Sequence, residues 1–335
     1  MSNYSATQTL IESMVSERIV PGVNYAFIEN EQSFTSTIGF ASIYPTVTQL
    51  SPFAKYDLAS LTKVLATENI LLKLYDQGKI NFSEPLHDFI PEFSDKRVRL
   101  YHLLTHTSGI AGWIPNRDQL THDDLLDSII HLPVTSEFEH KMRYSDTNFI
   151  LLGMVITKIY GQSIQDVAMK EIFAPMGLKH TTFSPIKKDC VPTTSNDQIL
   201  QGIAHDPKAR QLGKDCGSAG LFANLPDLIT ISNGYLGIDR NILPFGQNTV
   251  SQLFENKNPI GLKARSWGWD LRFDPQDHYP LILHTGYTGT LMLLDRVKKT
   301  GLIILTNRVH PTGHNQIFLT IREKIIQSFL KENDQ

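Results

Sequence analysis

The chain has little cysteine, no long apolar run and no excess of charge of one sign, and each absence excludes something. Its two cysteines, Cys190 and Cys216, lie in polar contexts without the spacing of a metal site or a dithiol motif. They are expected to be reduced, incidental thiols, so no disulfide framework is called for. No apolar stretch approaches the roughly 20 residues that a membrane-spanning helix needs. Residues Met1 to Ser5 carry no positive segment, and Leu10-Ile11-Glu12 is interrupted by charge before a signal-peptide core could form, so a cytoplasmic location is expected. The formal net charge is −3, and no Lys/Arg run accompanies aromatic residues. Nucleic acid and anionic membranes are therefore disfavoured as partners, and small molecules are the expected substrates. Internal repeats, low-complexity tracts and flexible linkers are absent as well.

What remains is an ordinary globular composition, 335 residues with 41% apolar and 19% charged, enough for one large domain or two smaller ones. Residues 5–18 read as an amphipathic helix carrying Leu10, Ile11, Met14 and Val15, followed by a turn at Pro21-Gly22. Residues 23–29 and 33–41 are β-rich around the polar tip Asn30-Glu31-Gln32, the pattern of a hairpin. Near the other end, residues 267–273, 281–284, 290–295 and 302–307 are strand candidates, with a turn at Lys298-Lys299-Thr300-Gly301, before a last helix over 315–330. The middle is helical, with a long helix opening at Ser60 and further helices over 99–104, 123–131, 148–160, 164–173 and 227–235. Segregated rather than alternating signals predict an α+β architecture, not a doubly wound parallel sheet.

Three stretches carry chemistry: Ser60-Leu61-Thr62-Lys63, Tyr144-Ser145-Asp146 and His284-Thr285-Gly286. Ser-x-x-Lys occurs three times, but Ser184/Lys187 falls in a Pro-punctuated loop and Ser328/Lys331 near the chain end. Only Ser60 opens a helical pattern, with Leu61, Val64, Leu65, Leu71, Leu72 and Tyr75 at helix spacing and Gly78 as the stop. On such a helix Ser60 and Lys63 share a face. A serine hydroxyl needs a base within reach and donors aimed at the oxyanion that forms on attack.

Taken with Leu103-Leu104-Thr105-His106-Thr107-Ser108-Gly109, Ala204-His205-Asp206 and Gly217-Ser218-Ala219-Gly220-Leu221-Phe222, these motifs resemble the serine β-lactamase and penicillin-binding-protein superfamily. The similarity is to its class C β-lactamase-like branch, which includes serine carboxylesterases, and runs from about Pro21 to Arg308. The resemblance implies an antiparallel sheet flanked by terminal helices, built from residues 1–57 and 236–335, beside a helical region of residues 58–235, with the active site between them. It further implies Ser60 as nucleophile, Lys63 and Tyr144 as base candidates, and the backbone N–H groups of Ser60 and Tyr287 as the oxyanion hole. Asp146, His284, Thr285 and Gly286 would contact substrate, Gly286 letting the backbone approach it closely. His205 and Asp206 would be loop scaffold or cleft rim, His106 a turn-stabilising residue, and Trp267 and Trp269 packing residues on a strand. His284 should lie on an edge strand.

The sequence departs from the family pattern at two positions. His284 replaces a permanent cation, and Asp146 replaces an asparagine whose amide donates, whereas an ionised aspartate only accepts. Asp146 also favours a charged Lys63, which moves the resting base toward Tyr144. Both changes remove contacts used by β-lactams and D-Ala-D-Ala peptides, and esters need neither. The expected activity is that of an esterase-like hydrolase with weak β-lactamase activity and no cofactor or metal. A β-lactamase or D-amino-acid peptidase of the same fold is the alternative, and a non-catalytic ligand binder is the rival from another class. A metallohydrolase would need His102/His106 or His310/His314, but neither pair has the Glu of the zinc-protease helix. An α/β-hydrolase would need a Gly-x-Ser-x-Gly elbow, which does not occur.

Overall fold

The computed structural model describes residues 3–313 and 315–334, so the His310/His314 pair lies partly outside the described residues. Seven strands form the main sheet: β1 (Gly22–Glu29), β2 (Gln32–Ser42), β3 (Thr48–Gln49), β4 (Asp270–Phe273), β5 (Pro280–Thr285), β6 (Leu291–Asp295) and β7 (Thr300–Thr306). Their order is β3-β2-β1-β7-β6-β5-β4, antiparallel throughout. The first long strand thus pairs with the last, Val23 opposite Thr306 and Glu29 opposite Thr300. The two-residue period assigns faces: Val23, Tyr25, Phe27, Leu302 and Ile304 turn one way, and Ala26, Ile28, Ile303 and Leu305 the other. Both faces of β1 and β7 are buried.

Two helices from opposite chain ends, α1 (Ser5–Ser16) and α5 (Gln316–Glu332), cover the first face. Ile11 and Met14 of α1 and Phe318, Ile325 and Phe329 of α5 pack there, with Tyr4 stacked on Phe27 and Phe329 at ring separations of 4.9 and 4.7 Å. The second face carries the larger core, shared with α2 (Glu68–Asp76), α3 (Asp146–Tyr160) and α4 (Leu225–Tyr235). Asn224 caps α4 by accepting from the Asp227 N–H, and Gly161 at φ 64° ends α3 in the left-handed region.

The α+β expectation holds, and the differences are local. The strand expected from Trp267 starts only at Asp270, because Gly268 at φ 76° breaks the extension. Trp267 and Trp269 are core residues, the former against Tyr75 and Phe82. The turn expected at residues 298–301 is shorter, since Thr300 already pairs with Glu29 and Asp295. The expected regular helix opening at Ser60 is instead a turn at Ser60 followed by a π-helical stretch, Lys63–Thr67, which feeds α2. Cys190 and Cys216 are unbridged and buried. No described helix is long and apolar enough to cross a membrane.

Candidate active site

The Ser60 turn is held from both sides by hydrogen bonds. Ala59, with a β-carbon, sits at φ 47°, a conformation that non-glycine residues seldom adopt, immediately before Ser60. The buried Asp57 carboxylate fixes it, one oxygen accepting the Ala59 N–H at 2.8 Å and the other the His205 N–H at 2.6 Å. Burial pushes the Asp57 carboxyl up to about 6, against the pull of those two N–H groups. Leu61 N and Lys63 N then bond back to Leu58 O and Ser60 O at 3.1 Å each, and the helix begins. The Ser60 N–H has no acceptor among the described residues.

Lys63 is fully buried beneath Ser60. The π-helical stretch closes with the Glu68 N–H on Lys63 O, an i to i+5 bond, and widened turns of this kind recur at functional sites. Lys63 Nζ donates to Ser60 Oγ at 2.9 Å and to Ser218 O at 2.9 Å, and pairs with Asp146 Oδ1 at 2.7 Å. Burial opposes its charge, but the Asp146 carboxylate and the Tyr144 phenol outweigh it and hold the ammonium above the usual lysine range. Ser218 belongs to the Gly217–Phe222 stretch, which wedges between helices. Thr67 Oγ1 donates to Gly217 O at 2.6 Å, and a β-carbon at 217 would fall 2.3 Å from Phe149 O.

Tyr144 and Asp146 flank the start of α3. His106, itself at φ 58°, accepts the Ser145 N–H on Nδ1 at 3.2 Å and lies 3.0 Å from Asn148 Nδ2, with its ring 4.5 Å from that of Tyr144. It acts as a brace for the 144–148 segment. Burial, with Arg265 and Lys63 nearby, keeps His106 neutral, well below the ordinary histidine range. Tyr144 is half exposed, its ring centroid 5.2 Å from Lys63 Nζ and 5.4 Å from Arg265 Cζ. Burial opposes the Asp146 charge, but Lys63 and Lys208 hold its carboxyl below the ordinary aspartate range.

The segment that follows His284-Thr285-Gly286 is tied to the Ser60 turn by two threonines. Thr288 Oγ1 donates to Asp57 O at 2.7 Å, and Thr290 Oγ1 to Leu58 O at 3.2 Å. A β-carbon on Gly286 would fall 2.1 Å from Thr290 Oγ1 and 2.5 Å from Leu58 O. Gly286 therefore lies close against Leu58, because the strand end packs on the Ser60 turn itself. β5 is not the sheet edge, since β4 lies outside it, but that pairing stops at Leu283 opposite Asp270 and leaves His284 and Thr285 unpaired on that side. Burial, Arg265 and Lys63 keep His284 neutral, well below the usual range. The Tyr287 N–H, like that of Ser60, has no acceptor among the described residues, while Arg308 Nε bonds Tyr287 O at 2.7 Å.

A cavity of about 580 Å³ opens here, lined by Ser60, Tyr144, His284, Thr285, Gly286 and Tyr287 among others. Every sequence-predicted substrate contact except Asp146 lines it, with Lys63 and Asp146 directly behind Ser60. His205 and Asp206 do not line it. The His205 ring lies tilted against that of Tyr287, 5.2 Å between centroids, and Asp206 caps the helix Pro207–Leu212 by accepting from the Ala209 N–H at 2.9 Å.

The Beta-lactamase family model matches residues 7–323. The chain belongs to this family. Among curated relatives, an N-acetylmuramyl-L-alanine amidase of Bacillus subtilis (strain 168) is 28% identical over 76% of this chain and 68% of its own length. A putative D-alanyl-D-alanine carboxypeptidase of Salmonella agona is also 28% identical, over 87% of this chain and 79% of its own. A solved class C beta lactamase from Rhodobacter sphaeroides shares the fold, with a TM-score of 0.78 at 18% identity over 98% of this chain and 100% of that one. The protein is a hydrolase-family member of the serine β-lactamase fold.

Several residues at this beta-lactamase-family site carry no recognisable local signal in the sequence. Lys208 bridges Asp146 Oδ2 at 2.9 Å and Asp206 Oδ2 at 3.2 Å. Arg265 is buried, donates to Gly268 O at 2.6 Å and stands beside Tyr144. Arg322 on α5 lines the cavity without a hydrogen-bond or ion-pair partner among the described residues. Asp57 alone could have been suspected, as an acidic residue three positions before the proposed nucleophile. No group of three or more His, Cys, Asp or Glu among the described residues is arranged to hold a metal ion.

Proposed function

We propose that the protein is a serine hydrolase working through an acyl-enzyme on Ser60. The observation that carries this reading is Ser60 Oγ, on the cavity wall and 2.9 Å from the buried Lys63 ammonium. In this reading Ser60 Oγ attacks the acyl carbonyl, its proton passes to Tyr144, and the oxyanion meets the free N–H groups of Ser60 and Tyr287. Lys63 stays charged: Ser60 Oγ, Ser218 O and Asp146 Oδ1 occupy its three donors, and an ammonium has no lone pair to accept a proton. That favours Tyr144 as base, with the ammonium as the cation its phenolate faces. Tyr144 then protonates the leaving group, and water repeats the sequence from the acyl side to free Ser60. Ser60, Lys63, Tyr144 and Asp146 would come from the helical region of residues 58–235, and His284 to Tyr287 from the sheet region of residues 1–57 and 236–335.

Esters are the first substrate class of this reading. A neutral His284 offers no permanent cation, and Asp146, pinned by two ammonium groups, offers no donor, while esters require neither. A carboxypeptidase-type reading is favoured by a separate observation: Lys263, Arg265, Arg272, Arg308 and Arg322 line the cavity against only Asp270 and Glu323. Guanidinium groups suit a substrate carboxylate, and the Salmonella agona relative is named a putative D-alanyl-D-alanine carboxypeptidase. Stoichiometric labelling by a fluorophosphonate, abolished in Ser60→Ala, is expected and separates enzyme from binder. Unchanged labelling of Ser60→Ala would sink the assignment. Hydrolysis rates on short-chain p-nitrophenyl esters, a chromogenic cephalosporin and D-Ala-D-Ala peptides then decide the substrate class, with the cephalosporin expected to be slowest.

A further inference from the structure

The ion pairs around Lys63 extend beyond the reaction centre, and hydrogen bonds lead from their far end back to the Ser60 turn. Lys63 Nζ joins Ser60 Oγ to Asp146 Oδ1 at 2.9 and 2.7 Å, and Lys208 Nζ joins Asp146 Oδ2 to Asp206 Oδ2 at 2.9 and 3.2 Å. The neighbouring His205 N–H bonds Asp57, whose other oxygen accepts from Ala59, next to Ser60. The Lys208 side chain is only 13% exposed, a setting in which a charge without a role is expensive.

The charges explain why the second lysine is there. Lys63 with a neutral residue at position 146 would present one positive charge to the reacting serine and phenol, but Lys63 with Asp146 alone presents none. Lys63, Asp146 and Lys208 together present one again; Asp206 brings the sum of all four to zero, but it is the outermost link, paired with Lys208 and not with Lys63. We propose that Lys208 is a positioning residue of the reaction centre: its ammonium holds the outer oxygen of Asp146, restores the positive charge that this carboxylate cancels, and keeps Lys63 aimed at Ser60 while the serine loses its proton. This rests on the reading of Ser60 as nucleophile. The other groups facing the cluster are Tyr144, the two neutral histidines His106 and His284, and Arg265 behind them, on the Asp146 side, and Arg117 on the Lys208 side. Burial opposes the Lys208 charge, but Asp146 and Asp206 hold its ammonium above the ordinary lysine range.

The test is the fluorophosphonate labelling rate of Ser60 against pH for wild type, Lys208→Met, Lys208→Gln and Lys208→Arg, with a thermal melt of each. Removing a cation from a centre that must build negative charge moves the acid limb of the rate to higher pH. The expected shift in Lys208→Met is about one pH unit, a rate about tenfold lower on that limb. Lys208→Gln, which can still donate to Asp146 but lacks the charge, should shift equally and carries the test if Lys208→Met does not fold. Lys208→Arg should restore the limb. An unshifted limb in both neutral variants, or a loss equal at every pH that Arg does not rescue, would overturn the proposal. A wild-type protein unlabelled at Ser60 defeats the underlying functional reading instead, so the two failures are distinguishable.

Discussion

The Ser60 turn depends on two residues whose own chemistry is unremarkable. Asp57 is a buried carboxylate whose native pKa, about 6, lies above its ordinary 3.8, so the folded state binds the proton more tightly than the unfolded one. Its contribution to stability is therefore complete below about pH 4 and is lost as the pH rises through 6. Asp57→Asn should remove that slope. The wild-type unfolding free energy is expected to fall relative to the variant by about 2 kcal/mol between pH 4 and 7, measured by urea denaturation across the range. Gly286 is the other such residue. Gly286→Ala puts a methyl into Thr290 Oγ1 and the Leu58 carbonyl, so the strand end must lift from the Ser60 turn. Under the acyl-enzyme reading this displaces the Tyr287 N–H, and a fall in kcat of about 100-fold is expected, the order of losing one oxyanion donor. Steady-state kinetics with a p-nitrophenyl ester measure it, and an unchanged kcat would remove Tyr287 from the proposed oxyanion hole.

At the scale of elements, hydrophobic periodicity locates the helices and strands but not the irregularities that matter to the site. Leu61, Val64, Leu65, Leu71 and Leu72 fit a helix from Ser60 whether or not it contains a π-helical turn, because all five residues from Lys63 to Thr67 are buried and no exposed face marks the extra residue. The start of the strand after Trp267 is obscured for a related reason: a glycine between two tryptophans reads as extended, yet here it takes a positive φ. Helix ends depend on partners far away in sequence. The N-terminus of α1 has no side-chain cap of its own, and Glu332 of α5 supplies one, accepting from the N–H groups of Ala6 at 2.7 Å and Thr7 at 2.9 Å and from Thr7 Oγ1 at 2.6 Å. Glu332→Ala is expected to lower stability by about 1–2 kcal/mol, read from the urea midpoint at constant slope, without changing labelling of Ser60.

Over the whole molecule, the charge that the composition averages away is concentrated locally. A chain of net charge −3 lines its cavity with five cationic side chains and two carboxylates. For a carboxylate-bearing substrate kcat/KM should fall as salt rises, by several-fold between about 10 and 150 mM, whereas a neutral ester should show little change. Arg322→Gln should raise KM for the anionic substrate and leave the ester unaffected. Equal salt dependence of both would mean that the cavity charge does not select substrate. The sequence by itself determined the α+β segregation and the three motifs, since side-chain periodicity and local residue order encode these directly. Only the tertiary structure decided that Lys208 and Asp57 tie the Ser60 turn to Asp146 and that arginines from three separate segments share one cavity. Those arrangements depend on distances between groups remote along the chain, and a Coulomb interaction or a hydrogen bond between such groups leaves no periodic trace in residue order.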